Sequence, residues 1–161
     1  MIANLVNYML SLAVQIPAVM VMLYLHHDMM LSPLIVLLPV VLAVHFIFNL
    51  ALALLLAATN VYYRDVQHLA GVFLSAWFFV SPVMYNLSFV EQHLSHWPWV
   101  LDLYMLNPIA VIVTAYRAMT EPGVSFPMGW APVVSVALIG VTFVIGLRVF
   151  RRLEKNFADL L

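Results

Sequence analysis

The sequence predicts an all-α, polytopic transmembrane bundle, and three observations predict it. Of the 161 residues, 66% are hydrophobic. Only 8% are charged, and mean hydropathy is +1.07. Long uncharged runs recur: the first formal charge is Asp28, and the first Lys or Arg is Arg64. A soluble domain is about 45–50% apolar and about 25% charged. Too few charges remain here to cover a water-facing surface, so most of the surface must face lipid. That excludes a soluble enzyme, a disordered tail and a free nucleic-acid binder. The net charge of −1 leaves no basic footprint for nucleic acid. With no cysteine, disulfide staples, thiol catalysis and cysteine-ligated metals are also excluded.

A helix needs about 20 apolar residues to cross a bilayer. Four stretches meet that need, at roughly residues 2–25, 33–58, 69–85 and 130–150. His26, His27 and Asp28 form a polar turn after the first. The second carries only His45 and Asn49 as strong polar groups. Polar chain with Arg64 and Asp65 follows it. The third is uncharged and broken near its far end by Ser81-Pro82. The fourth ends in a basic stop of Arg148, Arg151, Arg152 and Lys155.

Residues 97–120 could be read as a fifth crossing, but Asn107-Pro108 interrupts them. Proline lacks an N–H and clashes with the preceding turn, whereas Asn is a good N-cap and Pro a good first helical residue. One short helix is therefore expected to end there and another to begin. Asp102 and Arg117 would also have to enter the membrane, at up to ~3 kcal/mol each near its centre. The charge rule argues in the same direction. If the segment crosses, Arg64 and the basic tail fall on opposite sides. If it dips in and returns, Arg64, Arg148, Arg151, Arg152 and Lys155 share one side, which the excess of Lys and Arg marks as cytoplasmic. The expectation is four crossings, both termini cytoplasmic, and a re-entrant broken helical hairpin on the outer side. Broken helices at membrane depth are tolerated only when buried in protein or lining a wet cavity. At the end of the chain, Leu153, Phe157, Leu160 and Leu161 form one apolar stripe. An amphipathic cytoplasmic tail is thus expected over 151–161, with Arg151, Arg152 and Glu154 among its charged residues and Phe157 on its apolar face.

Little in the sequence speaks for catalysis. It contains no G-x-x-x-x-G-K-[ST], and its single lysine is Lys155. It therefore cannot cradle nucleotide phosphates in the P-loop manner. No Asp or Glu lies within the four spans, which argues against ion coupling and for a borrowed engine. His26, His27, Asp28, His45, His93 and His96 do not form a ligand set such as H-E-x-x-H. They read as interfacial histidines and one hydrogen-bonded intramembrane histidine, His45. Ser75 and Ser81 lack the setting of a nucleophile, and Gly71 with Ser75 reads as a small-xxx-small packing pair. Trp97, Trp99, Trp130 and Tyr85 read as an interfacial belt. Tyr104 and Tyr116, inside the hairpin, are better candidates to line a path. The Tyr62-Tyr63-Arg64-Asp65 loop is short and charged, lies between two spans, and suits the docking of a soluble partner.

Several residue runs occur together in a telling order: Val61-Tyr62-Tyr63-Arg64-Asp65-Val66, Ser81-Pro82-Val83-Met84-Tyr85, Leu106-Asn107-Pro108, Arg117, and Phe150 to Glu154 with Phe157-Ala158-Asp159. Together they resemble the ABC-2 family of transport permeases, most closely the exporters of O-antigen, capsule and teichoic acid. The resemblance covers residues 59–161; the first two spans fit by hydropathy only. It implies a non-enzymatic permease that needs no cofactor, dimerises and pairs with a separate soluble ATPase. It also implies export of a lipid-linked glycan across the bacterial plasma membrane. Tyr63, Arg64 and Asp65 would then face the ATPase. Tyr104, Asn107, Pro108, Tyr116 and Arg117 would belong to outer gate helices. Members of that family carry further spans and a coupling segment ahead of the position of Met1, so residues 1–161 are expected to match the C-terminal portion of such a permease. Other readings are an ABC-2 exporter of a drug or simple lipid, a carrier of metal or protons through His26, His27, Asp28 and His45, and a non-transporting membrane scaffold.

Overall fold

The computed structural model describes residues 21, 33–63, 65–85, 87–93, 97–121 and 123–153. The expected first span lies outside them apart from Val21, as do His26, His27, Asp28 and Arg64. Every regular element among the described residues is helical.

A 3-10 turn at Pro33–Leu37 leads into α1, Leu38–Tyr62. At 25 residues, α1 is about 37 Å long, enough for the roughly 30 Å hydrocarbon core. It ends at Tyr63, which turns to extended backbone. After a tight turn the chain re-enters helix as α2, Val66–Val80. Its 15 residues span only about 22 Å, too short to cross alone. Proline explains the stop. Pro82 cannot donate to the helix ladder, and Ser81 before it is held extended at φ −88° and ψ 151°. Two short helices follow, α3 at Leu87–His93 and α4 at Pro98–Met105. Then α5 runs Pro108–Thr120 and α6 runs Trp130–Leu153. The axes of α4 and α5 are bent by 94° at the Leu106-Asn107 break. The interruption read from Asn107-Pro108 is therefore present. By length and apolarity, the described residues hold two helices able to cross a membrane, or three if the bent pair counts as one.

The packing fixes the direction of each helix. Leu52, Leu55 and Leu56 of α1 lie against Val66, Ala70, Phe73 and Leu74, and Phe48 meets Trp77 edge-on at 5.9 Å. So α2 runs antiparallel to α1, and its far end stops near the middle of α1. From there α5 continues toward the start of α1. Ile109 and Ile112 join Phe48 in one buried cluster, while Ala115, Ala118 and Met119 share an apolar cleft with Leu34, Leu37 and Val41. Helix α6 returns parallel to α1: Ile139 joins the Phe48 cluster, and Gly146 packs on Ala51, Leu54 and Leu55. Hence the Asp65 turn and the Arg151–Arg152 end of α6 share one end of the bundle. Trp130 and the start of the 3-10 turn share the other.

The seam between α1 and α6 is made of small residues. Ala51 and Ala58 of α1 are fully buried, and Gly146 of α6 packs on Ala51. A Cβ built at Gly146 would lie 3.0 Å from the Ala51 carbonyl oxygen. That is the close backbone approach by which helices associate in lipid. No residue of α2 is buried; Leu69, Val72 and Phe79 are among its exposed side chains, Phe79 at 71%. Such faces suit acyl chains or neighbouring helices rather than water.

Candidate functional site

Between Val80 and Tyr85 the chain is not helical, yet it sits at the mid-depth of α1. At such depth every exposed carbonyl needs a partner. The Val83 N–H donates to the Ser81 carbonyl at 2.7 Å. The Val80 carbonyl accepts from the Tyr104 hydroxyl of α4, which also bonds the Tyr85 hydroxyl. The Arg117 guanidinium of α5 serves three more. Its Nη1 donates to Pro82 O at 2.7 Å and Tyr85 O at 2.6 Å, and its Nη2 to Val83 O at 2.9 Å. Nε faces Glu121 Oε1 at 3.4 Å, one helical turn on. One planar fork thus satisfies a whole turn of unwound backbone, a geometry that lysine cannot copy. The charge that the sequence marks as costly is surrounded by four oxygens.

Asn107 makes the second tie. Its Oδ1 accepts from Ile109 N at 3.0 Å, capping α5, and from Trp77 Nε1 of α2 at 2.9 Å. Its Nδ2 donates to Ser81 Oγ at 2.9 Å, and Ser81 in turn donates to Trp77 O at 2.8 Å. A third tie reaches α1: His45 Nδ1 and the Tyr116 hydroxyl lie 3.2 Å apart. The His45 ring nitrogen is thus engaged inside the bundle, and no group of three or more His, Cys, Asp or Glu gathers among the described residues.

Four residues expected at an outer gate, Tyr104, Asn107, Pro108 and Arg117, meet here around the Ser81–Tyr85 turn, and Tyr116 anchors the same helix to α1. Two members, Trp77 and Glu121, were not singled out by sequence reading. Trp77 is one of many aromatics in an apolar run, with no local signal for a partner. Glu121 carried a legible signal, the i,i+4 spacing from Arg117. The role of Ser81 depends on a partner 26 residues away. The residues read as ATPase-facing lie elsewhere: Tyr63 and Asp65 are exposed at the opposite end of α2, and Arg64 lies outside the described residues. Arg151 and Arg152 are exposed at that same end, while Glu154 and Phe157 of the expected tail are outside the described residues. Gly71 meets nothing within 4 Å, so the expected small-residue contact at Gly71 and Ser75 has no partner among the described residues.

Curated relatives share this segment. The chain is 35% identical over 118 residues to the O-antigen export system permease protein RfbA of Myxococcus xanthus, covering 73% of this chain and 42% of that protein. This chain is homologous to O-antigen export permeases. Two proteins of the same name from Klebsiella pneumoniae are 20% and 21% identical over 124 and 116 residues, covering 76% and 71% of this chain and 44% and 41% of theirs. No family model matches. The chain spans about two fifths of the length of the curated relatives it matches. The resemblance read from the motifs to polysaccharide-export permeases is borne out. These homologues are transport permeases rather than enzymes, and the long apolar helices are those of a multi-pass membrane protein.

Proposed function

We propose that this chain is the gate-bearing part of an ABC-2 permease that exports a lipid-linked polysaccharide across the bacterial inner membrane, driven by a separate ATPase. The observation that carries this reading is the 35% identity to an O-antigen export permease across most of the chain. The geometry supports the details. The Asp65 turn shares an end with Arg148, Arg151 and Arg152, which the charge rule makes cytoplasmic. On that basis both termini are cytoplasmic, and Tyr63, Arg64 and Asp65 form the surface that the ATPase pushes. The 94° bend between α4 and α5, and the return of α5 to the start of α1, support an outer re-entrant hairpin. Tyr104, Asn107, Pro108, Tyr116 and Arg117 are its framework. The unpartnered apolar face of α2 supports assembly as a homodimer around one path. Arg151, Arg152, Glu154 and Phe157 lie on the cytoplasmic tail.

The test is functional coupling. The full protein is expected to co-purify with an ABC ATPase. Replacing Arg64 and Asp65 together with Ala should stop glycan export while membrane insertion and ATP hydrolysis by the complex persist. Unchanged export in that double mutant removes the coupling role. Failure of the wild-type protein to bind any ATPase removes the exporter reading.

A further inference from the structure

Helix α2 has an unusual set of attachments. Along its length it lies against α1 mainly through apolar side chains, with Asn60 and Gln67 in the cleft near its start, and none of its residues is buried. In lipid such contacts hold by packing, without a strong hydrophobic drive. Its near end is locked to the Asp65 turn, whose carbonyl accepts from His68 N and Leu69 N, both at 3.1 Å. Its far end is tied to α4, α5 and the break between them by six side-chain hydrogen bonds. These are Trp77 to Asn107, Asn107 to Ser81, Tyr104 to Val80, and Arg117 to Pro82, Val83 and Tyr85. Between those ends lies one unbroken helix about 22 Å long. Sideways slippage is therefore soft, whereas separating the helix from the hairpin breaks bonds whose partners cannot turn to water.

Past Thr120 the constraint relaxes. Gly123 takes φ +82°, and residues 124–128 form neither helix nor strand before α6 begins. The hairpin is thus hydrogen-bonded to the α2 end, whereas among the described residues it meets α6 through apolar packing, Met105 and Val111 against Ala131 and Ile112 beside Ile139.

We propose that Arg117 is a positioning residue that makes α2 and the α4–α5 hairpin one mechanical unit, so that displacement of the Asp65 turn is delivered to the hairpin. The functional consequence rests on the permease reading above; the mechanical claim rests on the joint alone. Arg117 is singled out because one side chain holds three of the six bonds, and because its partners belong to backbone that has no helix ladder of its own.

The absence of cysteine lets labels be placed at will. Phe79→Cys on α2 and Leu103→Cys on α4 are exposed positions, at 71% and 57%. Spin labels on that pair, in the full-length protein in lipid nanodiscs, are expected to give one narrow distance peak. Arg117→Ala should lose that single peak and give a broad distribution, and Arg117→Lys, which keeps charge and donors, should recover part of it. A narrow peak in Arg117→Ala overturns the proposal. If Arg117→Ala does not accumulate in membranes, Arg117→Gln, which lacks the guanidinium fork that serves Pro82, Val83 and Tyr85, decides in the same way. In the complex with the ATPase, Arg117→Ala should continue to hydrolyse ATP while export is lost, with partial rescue by Lys. A wild-type complex that exports nothing counts against the permease reading, while the distance readout still judges the joint.

Discussion

Asn107 does three jobs with one amide: it caps α5, accepts the indole N–H of Trp77 and donates to Ser81. Asn107→Ala removes all three. Losing the cap costs about 0.5–2 kcal/mol. The stranded Trp77 donor adds about 1–3 kcal/mol. A fall of a few kcal/mol in stability is expected, read as a lower midpoint of tryptophan-fluorescence unfolding in detergent. Asn107→Asp keeps the acceptor for Ile109 and Trp77 and should lose less. Equal midpoints for Ala and wild type would show that the amide is idle. The capping role was legible in the sequence because a cap depends on local chain direction and on the Pro that follows. The bonds to Trp77 and Ser81 were not, because they cross 30 and 26 residues.

At the scale of elements, the pairing of α1 with α6 depends on Gly146 as much as on hydropathy. A methyl group there would meet the Ala51 carbonyl oxygen at 3.0 Å, tighter than ordinary contact. Gly146→Ala should be mildly destabilising, and Gly146→Leu should part the seam at about 1–3 kcal/mol, the usual range for overpacking. Thermal aggregation of detergent-solubilised variants should therefore order as wild type above Ala above Leu. A Leu variant as stable as wild type would mean that the two helices do not approach this closely. Hydropathy located both helices within a few residues, since their apolar length is set by the bilayer. It could not identify the seam, because one glycine in an apolar run looks the same whether it faces lipid or another backbone. The third apolar stretch shows the converse. Its composition reads as a span over 69–85, yet the regular helix is Val66–Val80 and stops where Pro82 breaks the ladder.

For the whole molecule, the relative directions of α1, α2, α5 and α6 lead to a test of topology. If α4 and α5 dip in and return, positions 93 and 125 lie on the same side of the membrane. Single cysteines at His93 and Ser125, introduced into the cysteine-free chain, should both react with an impermeant maleimide from the outer face. Reaction from opposite faces would overturn the re-entrant hairpin. The sequence by itself determined that lipid is the solvent, where the helices break, and which ends gather positive charge. Each of these follows from the chemistry of a few adjacent residues. Only the tertiary structure decided that Arg117 closes the unwound turn after α2, that Trp77 and Tyr104 belong to the same knot, and that Gly146 rests on Ala51. A buried carbonyl must be satisfied by some donor, but which donor reaches it depends on how the helices cross.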